Sequence, residues 1–440
     1  MKPKTSKHPS NQWTTFRVLW AGQSLSLLGT AMTRFAVLVW AYEASDSVMA
    51  LALLGFFSSL TFIIASPFAG VMVDRWDRRK VMLLADLGAG AMTALLLGLN
   101  LGEHLQIWHL YLAQGIAGVC EAFQHPAFSA AVSLVVPKEE YTRANGLLGV
   151  GRSAARVLAP ALAGLVQQVA GLNTVMIADL TTLALAVGGV LLIRIPAAPL
   201  SDAGRQAAGT LWRQMRFGIR YILHDAGLRG ILLAFFMVNL FGTVTYFAVL
   251  SPMILARTGG DEVALGVVRT VMSVGGVAGS ALISLWGGTR RKAHFFLIST
   301  ALSFLFCDFM TATSRSVLGW CVAGFLSELT IPFIDCPYVA IWQERVPPDV
   351  QGRVFATRDM VQIGAQPIGY LMGGILADRL FEPAMMSGGA LAGALGWLVG
   401  TGPGAGMAAM FLGTSLLGGL TGALGLLSPA VRKLDKAISD

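Results

Sequence analysis

The sequence predicts an all-α integral membrane protein with twelve transmembrane helices, arranged as two six-helix bundles related by pseudo-two-fold symmetry. Three observations carry this prediction. First, the 440 residues are 55% hydrophobic and only 13% charged, with 51 glycines; ordinary globular chains carry about 25% charged residues, so too little polar surface is left to wrap a water-soluble core. Second, apolar runs of span length recur along the whole chain, leaving no room for a sizeable soluble catalytic or nucleotide-binding module. Third, landmarks of the first half return about half a chain length later.

In chain order, residues 1–15 form a polar, basic tail. No short apolar region with a small-residue cleavage site follows it, so no removed signal peptide is expected. Apolar runs then fall at 16–42, 48–73, 80–101, 107–136, 145–170 and 172–195, which make the N-terminal bundle, 16–195. Residues 196–228 are the one long hydrophilic connection. Within it Trp212, Met215, Ile219 and Ile222 recur at helical spacing opposite Arg213, Arg216 and Arg220, the pattern of an amphipathic helix lying at a membrane surface. The second set of runs, at 229–255, 264–288, 293–313, 316–345, 354–377 and 406–428, makes the C-terminal bundle, 229–428, and a short tail closes the chain at 429–440.

The 32 basic residues outnumber the 24 acidic ones, and their distribution decides what that excess means. With the N-terminus inside, 25 of the 32 fall in the tails and the inner connections, three (Arg257, Arg315, Arg379) in outer loops, and four within spans. Such a skew places both termini in the cytoplasm. Spread over many loops, it forms no single face for nucleic acid. Cys120, Cys307, Cys321 and Cys336 lie in apolar stretches without metal or disulfide spacing.

The halves repeat. Arg78-Arg79-Lys80 recurs as Arg290-Arg291-Lys292, Val136-Pro137 with Arg143 recurs as Val346-Pro347 with Arg353, and Pro160 answers Pro367. Such a parallel repeat is the arrangement of secondary transporters with a midplane site between their halves.

The sharpest local signal runs from Gly70 through Asp74-Arg75 and Asp77 to Arg78-Arg79-Lys80 in the connection after the second run. It resembles the signature Gly-x-x-x-Asp-Arg-x-Gly-Arg-Arg-Lys of the major facilitator superfamily, with Asp77 where that family usually has glycine. Residues 118–147, the segment around Ala159-Pro160 and Gly164, and residues 342–386 are similar to the branch containing macrolide-efflux proteins and the enterobactin exporter. The resemblance implies the twelve-helix fold, alternating access and proton-coupled export of bulky amphipathic compounds from a bacterial inner membrane. In the signature, a carboxylate at the inner end of the second span can pair with guanidinium groups and a neighbouring helix end, latching that side shut in one state. Gly70, Asp74, Arg75, Arg78 and Arg79 are the expected gating residues.

Buried charge is the second signal, because a charged side chain at mid-bilayer costs about 2.5–3.5 kcal/mol on insertion scales. Glu121, Arg152, Arg156 and Glu328 sit near span centres, with Asp335 inward of Glu328 and Arg34 in the outer half of the first span. The carboxylates Glu121, Glu328 and Asp335 are candidate proton carriers, and Arg34, Arg152 and Arg156 candidate counter-charges. The alternative is a permanent structural pair, such as Glu121 with Arg156. Asp86, Asp179 and Asp308 read as caps or packing groups, His125 as a satisfied helix residue, and Arg269 as either a substrate contact or a snorkelling side chain. Phe235, Phe236, Tyr246, Phe247, Phe325 and Trp342 line an apolar cavity or pack.

With no HExxH or GxSxG motif and no phosphate loop, the chain reads as no enzyme and needs no cofactor. The preferred expectation is a monomeric exporter whose partners are a small amphipathic molecule, a proton or other ion, and the lipid bilayer. The alternatives are a siderophore or lysophospholipid carrier, motivated by the arginines, and a non-transporting membrane sensor.

Overall fold

The computed structural model describes residues 9–45, 48–193, 195–196, 198–199, 201–206 and 209–436; parts of the expected tails and linker lie outside them. The principal helices, in chain order, are α1 (Pro9–Ser45), α2 (Val48–Arg75), α3 (Arg78–Leu101), α4 (Ile107–Val135), α5 (Tyr141–Leu192), α6 (Leu211–His224), α7 (Ala226–Thr258), α8 (Glu262–Trp286), α9 (Lys292–Thr313), α10 (Val317–Arg345), α11 (Gln351–Leu376), α12 (Ala405–Leu427) and α13 (Pro429–Lys436).

Local chemistry fixes the ends of several helices. Asp77 caps α3, its carboxylate accepting the Arg79 amide at 2.9 Å, a strongly preferred N-cap residue. The departure from glycine at this position is thereby explained as a helix start. Asp225 caps α7 through the Gly227 and Leu228 amides, and Asp261 caps α8 through Ala264. α5 is broken at Gly171, whose φ of 78° and ψ of 171° belong to a region that essentially only glycine adopts. The break falls between the expected runs 145–170 and 172–195, so α5 holds two span lengths as a hairpin.

Among the described residues, nine helices are long and apolar enough to cross a membrane, Lys138–Leu192 being counted once. The expected runs 107–136 and 354–377 form helices of span length, α4 and α11. Glu121, Gln124 and His125 in the first, and Arg358, Asp359, Gln362 and Gln366 in the second, reduce their apolar character.

The chain divides into two units, one running through Tyr221 and including Trp342–Met360, the other holding Ile222–Ile341 and the chain from Val361 onward. In the first, close approach follows small residues: a Cβ on Gly151 would meet Ser24 Oγ at 2.3 Å, one on Gly118 the Ser58 carbonyl at 2.1 Å, and one on Gly90 the Leu183 side chain at 2.1 Å. The first span therefore packs on the fifth, the second on the fourth and the third on the sixth. Met32, Ala36, Leu54, Leu110, Val175 and Met176 fill one core layer, and Leu19, Val73, Met82, Ala127 and Ala131 the layer at the Asp74 end.

The second unit repeats those pairings. Gly369 and Gly373 of α11 meet Thr243 and Val244 of α7, Gly275 and Gly279 of α8 meet the Phe325 and Leu329 carbonyls of α10, and Gly418 and Gly422 of α12 meet Phe304 and Leu297 of α9. Small residues at helix contacts are what association in lipid requires, because van der Waals packing carries it there. Two π-helical segments, Thr243–Val249 in α7 and Ser303–Asp308 in α9, interrupt the regular winding, and a third, Ala377–Phe381, follows α11.

Candidate functional site

The last turn of α2 carries the first part of the site. The Asp74 carboxylate accepts hydrogen bonds from the Gly352 amide at 2.6 Å, the Arg353 amide at 3.1 Å and Arg353 Nε at 3.0 Å. The two side chains are 0% and 8% exposed. The carboxylate thus sits on the N-terminus of α11, where unpaired amides and the helix dipole favour an anion, and it also takes a guanidinium from the same turn. A Cβ on Gly70 would lie 2.7 Å from the Gly352 carbonyl, and one on Gly352 2.5 Å from the Gly70 carbonyl. The two glycines let the backbones approach closely enough for Asp74 to reach.

The remaining signature residues surround this contact. Arg78 donates through Nη2 to the Pro348 carbonyl. Arg79 donates to the Val190 carbonyl at 2.9 Å and to that of Leu191, closing the end of α5. Arg75 Nε donates to Gln214 of α6 at 3.1 Å. Three uncharged ties lie alongside: Asn145 to Gln343 at 2.9 Å, Ser133 to Gln351, and the Gln343 amide to the Ser129 carbonyl at 3.2 Å.

The second part is the charged set. Arg34 Nη2 and Glu121 Oε1 form an ion pair at 2.5 Å with side chains 49% and 39% exposed. Glu121 takes Arg34 from α1. On α5, Arg152 and Arg156 lie on an exposed face with Pro160, and Arg156 is engaged in a further interaction.

In the other unit Glu328 and Asp335 are half-buried on α10 and both are engaged. Arg269 of α8 donates to the Tyr246 carbonyl at 3.2 Å, within the π-helical turn of α7, and to Ser251 Oγ at 2.7 Å just beyond it. Each unit therefore holds a carboxylate near the centre of its fourth span, Glu121 in one and Glu328 in the other.

Reasoning from sequence missed one residue of the Asp74 contact. Arg353 was legible only as a repeat landmark, since nothing local ties it to a residue 279 positions away. Asp86, Asp179 and Asp308, which the sequence offers as caps or packing groups, are packing groups that join spans. Asp86 accepts from Gln23 at 2.9 Å and Gln124 at 3.0 Å, Asp179 from Thr30 and Thr93 at 3.1 Å each, and Asp308 from Tyr246 at 2.9 Å and Thr414 at 2.7 Å. Their signal was present: one acid in each of the third, sixth and ninth spans, each otherwise almost free of carboxylates. Of the aromatic set, Phe235 stacks on Tyr338 at 3.9 Å and Trp342 is fully buried, so both pack.

Paired charges inside lipid-length helices, with the buried Asp74–Arg353 pair between helix ends, are the arrangement expected of a multi-pass membrane transporter. The chain belongs to the Major Facilitator Superfamily, whose model matches residues 19–369. It is 28% identical over 386 residues to macrolide efflux protein A of Streptococcus pyogenes, spanning 84% of this chain and 91% of that protein. Multidrug efflux pump Tap of Mycolicibacterium fortuitum is 22% identical over 425 residues, covering 93% and 94% of the two chains. Among solved structures, the fucose transporter FucP in its outward conformation has a TM-score of 0.67 at 12% identity, covering 97% of this chain and 98% of its own. The human organic anion transporter MFSD10 has a TM-score of 0.68 at 16% identity, covering 96% and 100%. At these identities the two structures establish the fold alone.

Proposed function

We propose that the protein is a proton-coupled exporter of bulky amphipathic compounds, working by alternating access as a monomer in a bacterial cytoplasmic membrane. Twelve spans cross that membrane, both termini lie in the cytoplasm, and the Asp74–Arg353 contact is the cytoplasmic latch. The observation that carries the coupling is the half-exposed Arg34–Glu121 pair, which joins the outer half of α1 to the centre of α4. Ion pairs at that depth are kept only where they face water, each other or cargo. A proton arriving at Glu121 cancels the charge that holds Arg34, and cargo competing for the same groups makes proton entry and cargo exit mutually exclusive. Glu328 and Asp335 serve the same exchange from α10, with Arg152 and Arg156 as counter-charges. The names of the macrolide and multidrug efflux relatives support the direction and the cargo class.

The test is dye or drug efflux in energised inverted vesicles with a pH probe, comparing wild type with Glu121→Gln and Glu328→Gln. Cargo addition is expected to release protons in wild type and not in the variants. Uptake that survives collapse of the proton gradient would replace antiport with facilitated diffusion or another ion. A second reading, a carrier of anionic amphiphiles, draws on the exposed Arg152 and Arg156; it predicts that Arg152→Gln lowers transport of anionic but not cationic cargo.

A further inference from the structure

α6 has two faces with different fates. Its inner face is built into the latch: Gln214 is buried and accepts from Arg75, and the Arg353 guanidinium lies 5.8 Å from the centre of the Phe217 ring. Gly218 is so close that an added Cβ would meet Thr357 Oγ1 at 2.3 Å and the Arg353 carbonyl at 2.4 Å. The opposite face is open. Trp212, Ile219 and Leu223 are 62%, 43% and 54% exposed, and spacings of seven and four residues place them on one stripe of the helix. Arg213, Arg216 and Arg220 are exposed beside this stripe, and the Arg216 guanidinium lies 5.1 Å from the Trp212 ring centre.

Three large apolar side chains in a row, flanked by guanidinium groups and with no acidic residue between Leu211 and His224, are a costly surface to present to water. They suit the boundary between acyl chains and headgroups. The charge selects the headgroup: guanidinium pairs with phosphate bidentately, and a bilayer rich in anionic lipid rewards each basic residue near its surface. We propose that the outward face of α6 binds anionic phospholipid headgroups in the leaflet on the latch side, and that this docking presses Gln214, Phe217 and Gly218 onto Arg75 and Arg353. Lipid composition then sets how readily the Asp74–Arg353 contact opens. The interaction needs no transported cargo, so it stands or falls separately from the export reading.

The test uses the full chain in phosphatidylcholine nanodiscs carrying either brominated phosphatidylglycerol or brominated phosphatidylcholine. Fluorescence quenching attributable to Trp212 is taken as the difference from Trp212→Phe, since the chain has ten tryptophans. The expected result is preferential quenching by the brominated phosphatidylglycerol, with its relative association falling about 5-fold for each arginine removed in Arg213→Gln and Arg216→Gln. Hydrogen exchange of the 351–358 backbone should be slower in phosphatidylglycerol discs than in pure phosphatidylcholine discs, and this difference should vanish in the double variant. Equal quenching by the two lipids, quenching by neither, or a preference that survives both substitutions would overturn the docking. A preference at Trp212 with unchanged exchange over 351–358 would overturn its link to the latch.

Discussion

At Asp74 a single carboxylate collects two amides and a guanidinium with almost no solvent left around it. Removing one partner of such a buried pair strands the other, at a cost of about 3–5 kcal/mol. Asp74→Asn and Arg353→Gln are each expected to lower the melting temperature of the detergent-solubilised protein, and the double variant should fall well short of their sum. Additive losses in that double-mutant cycle would mean the two groups act independently. Asp77 tests a smaller term. Loss of an N-cap to alanine costs about 1 kcal/mol and to glycine only a few tenths, so Asp77→Ala should destabilise measurably while Asp77→Gly, which restores the usual family residue, should not.

Elements were legible to different depths. Hydropathy located the long apolar helices because twenty apolar residues in a row have few other uses, whereas α13 lies in what read as a tail; Gly171 marked its own break. The π-helical turns at Thr243–Val249 and Ser303–Asp308 left no sequence trace, since a winding defect is set by what packs against it. Individual charges could be placed on helix faces by spacing, yet their partners could not. Glu121 meets Arg34 on a helix 87 residues away, and periodicity says nothing about which helix stands opposite. The glycine contacts give the element-scale prediction. Gly279→Leu puts a side chain where the Leu329 carbonyl stands, 2.1 Å from the new Cβ, whereas Gly266 has nothing within 4 Å. Folded yield should collapse for the first and stay near wild type for Gly266→Ala. Gly171→Ala isolates the backbone, because its Cβ also meets nothing within 4 Å; the φ and ψ alone should cost about 1–3 kcal/mol, read as a lower melting temperature.

For the whole molecule, each unit uses one plan of helix contacts, first with fifth, second with fourth and third with sixth; the repeat landmarks pointed to two halves of one topology but not to which helices pair. The proposed orientation, with both termini in the cytoplasm, has a direct check. A membrane-impermeant thiol reagent applied to intact cells should label Glu262→Cys, at the start of α8, and not Arg213→Cys in α6. The native cysteines offer little background, three being buried and Cys120 only partly exposed. The reverse pattern would turn the molecule over.

The single-residue turn at Gly171 bears on how the protein is made. A ribosome delivering α5 offers the insertion machinery two membrane-length stretches with no hydrophilic loop between them, and hence no charged signal to decide the fate of either alone. The two halves are expected to enter the bilayer together as a hairpin, oriented by the residues at its open end. With a single residue between its helices, this hairpin is expected to offer a protease, an antibody or an inserted tag no extended loop to hold.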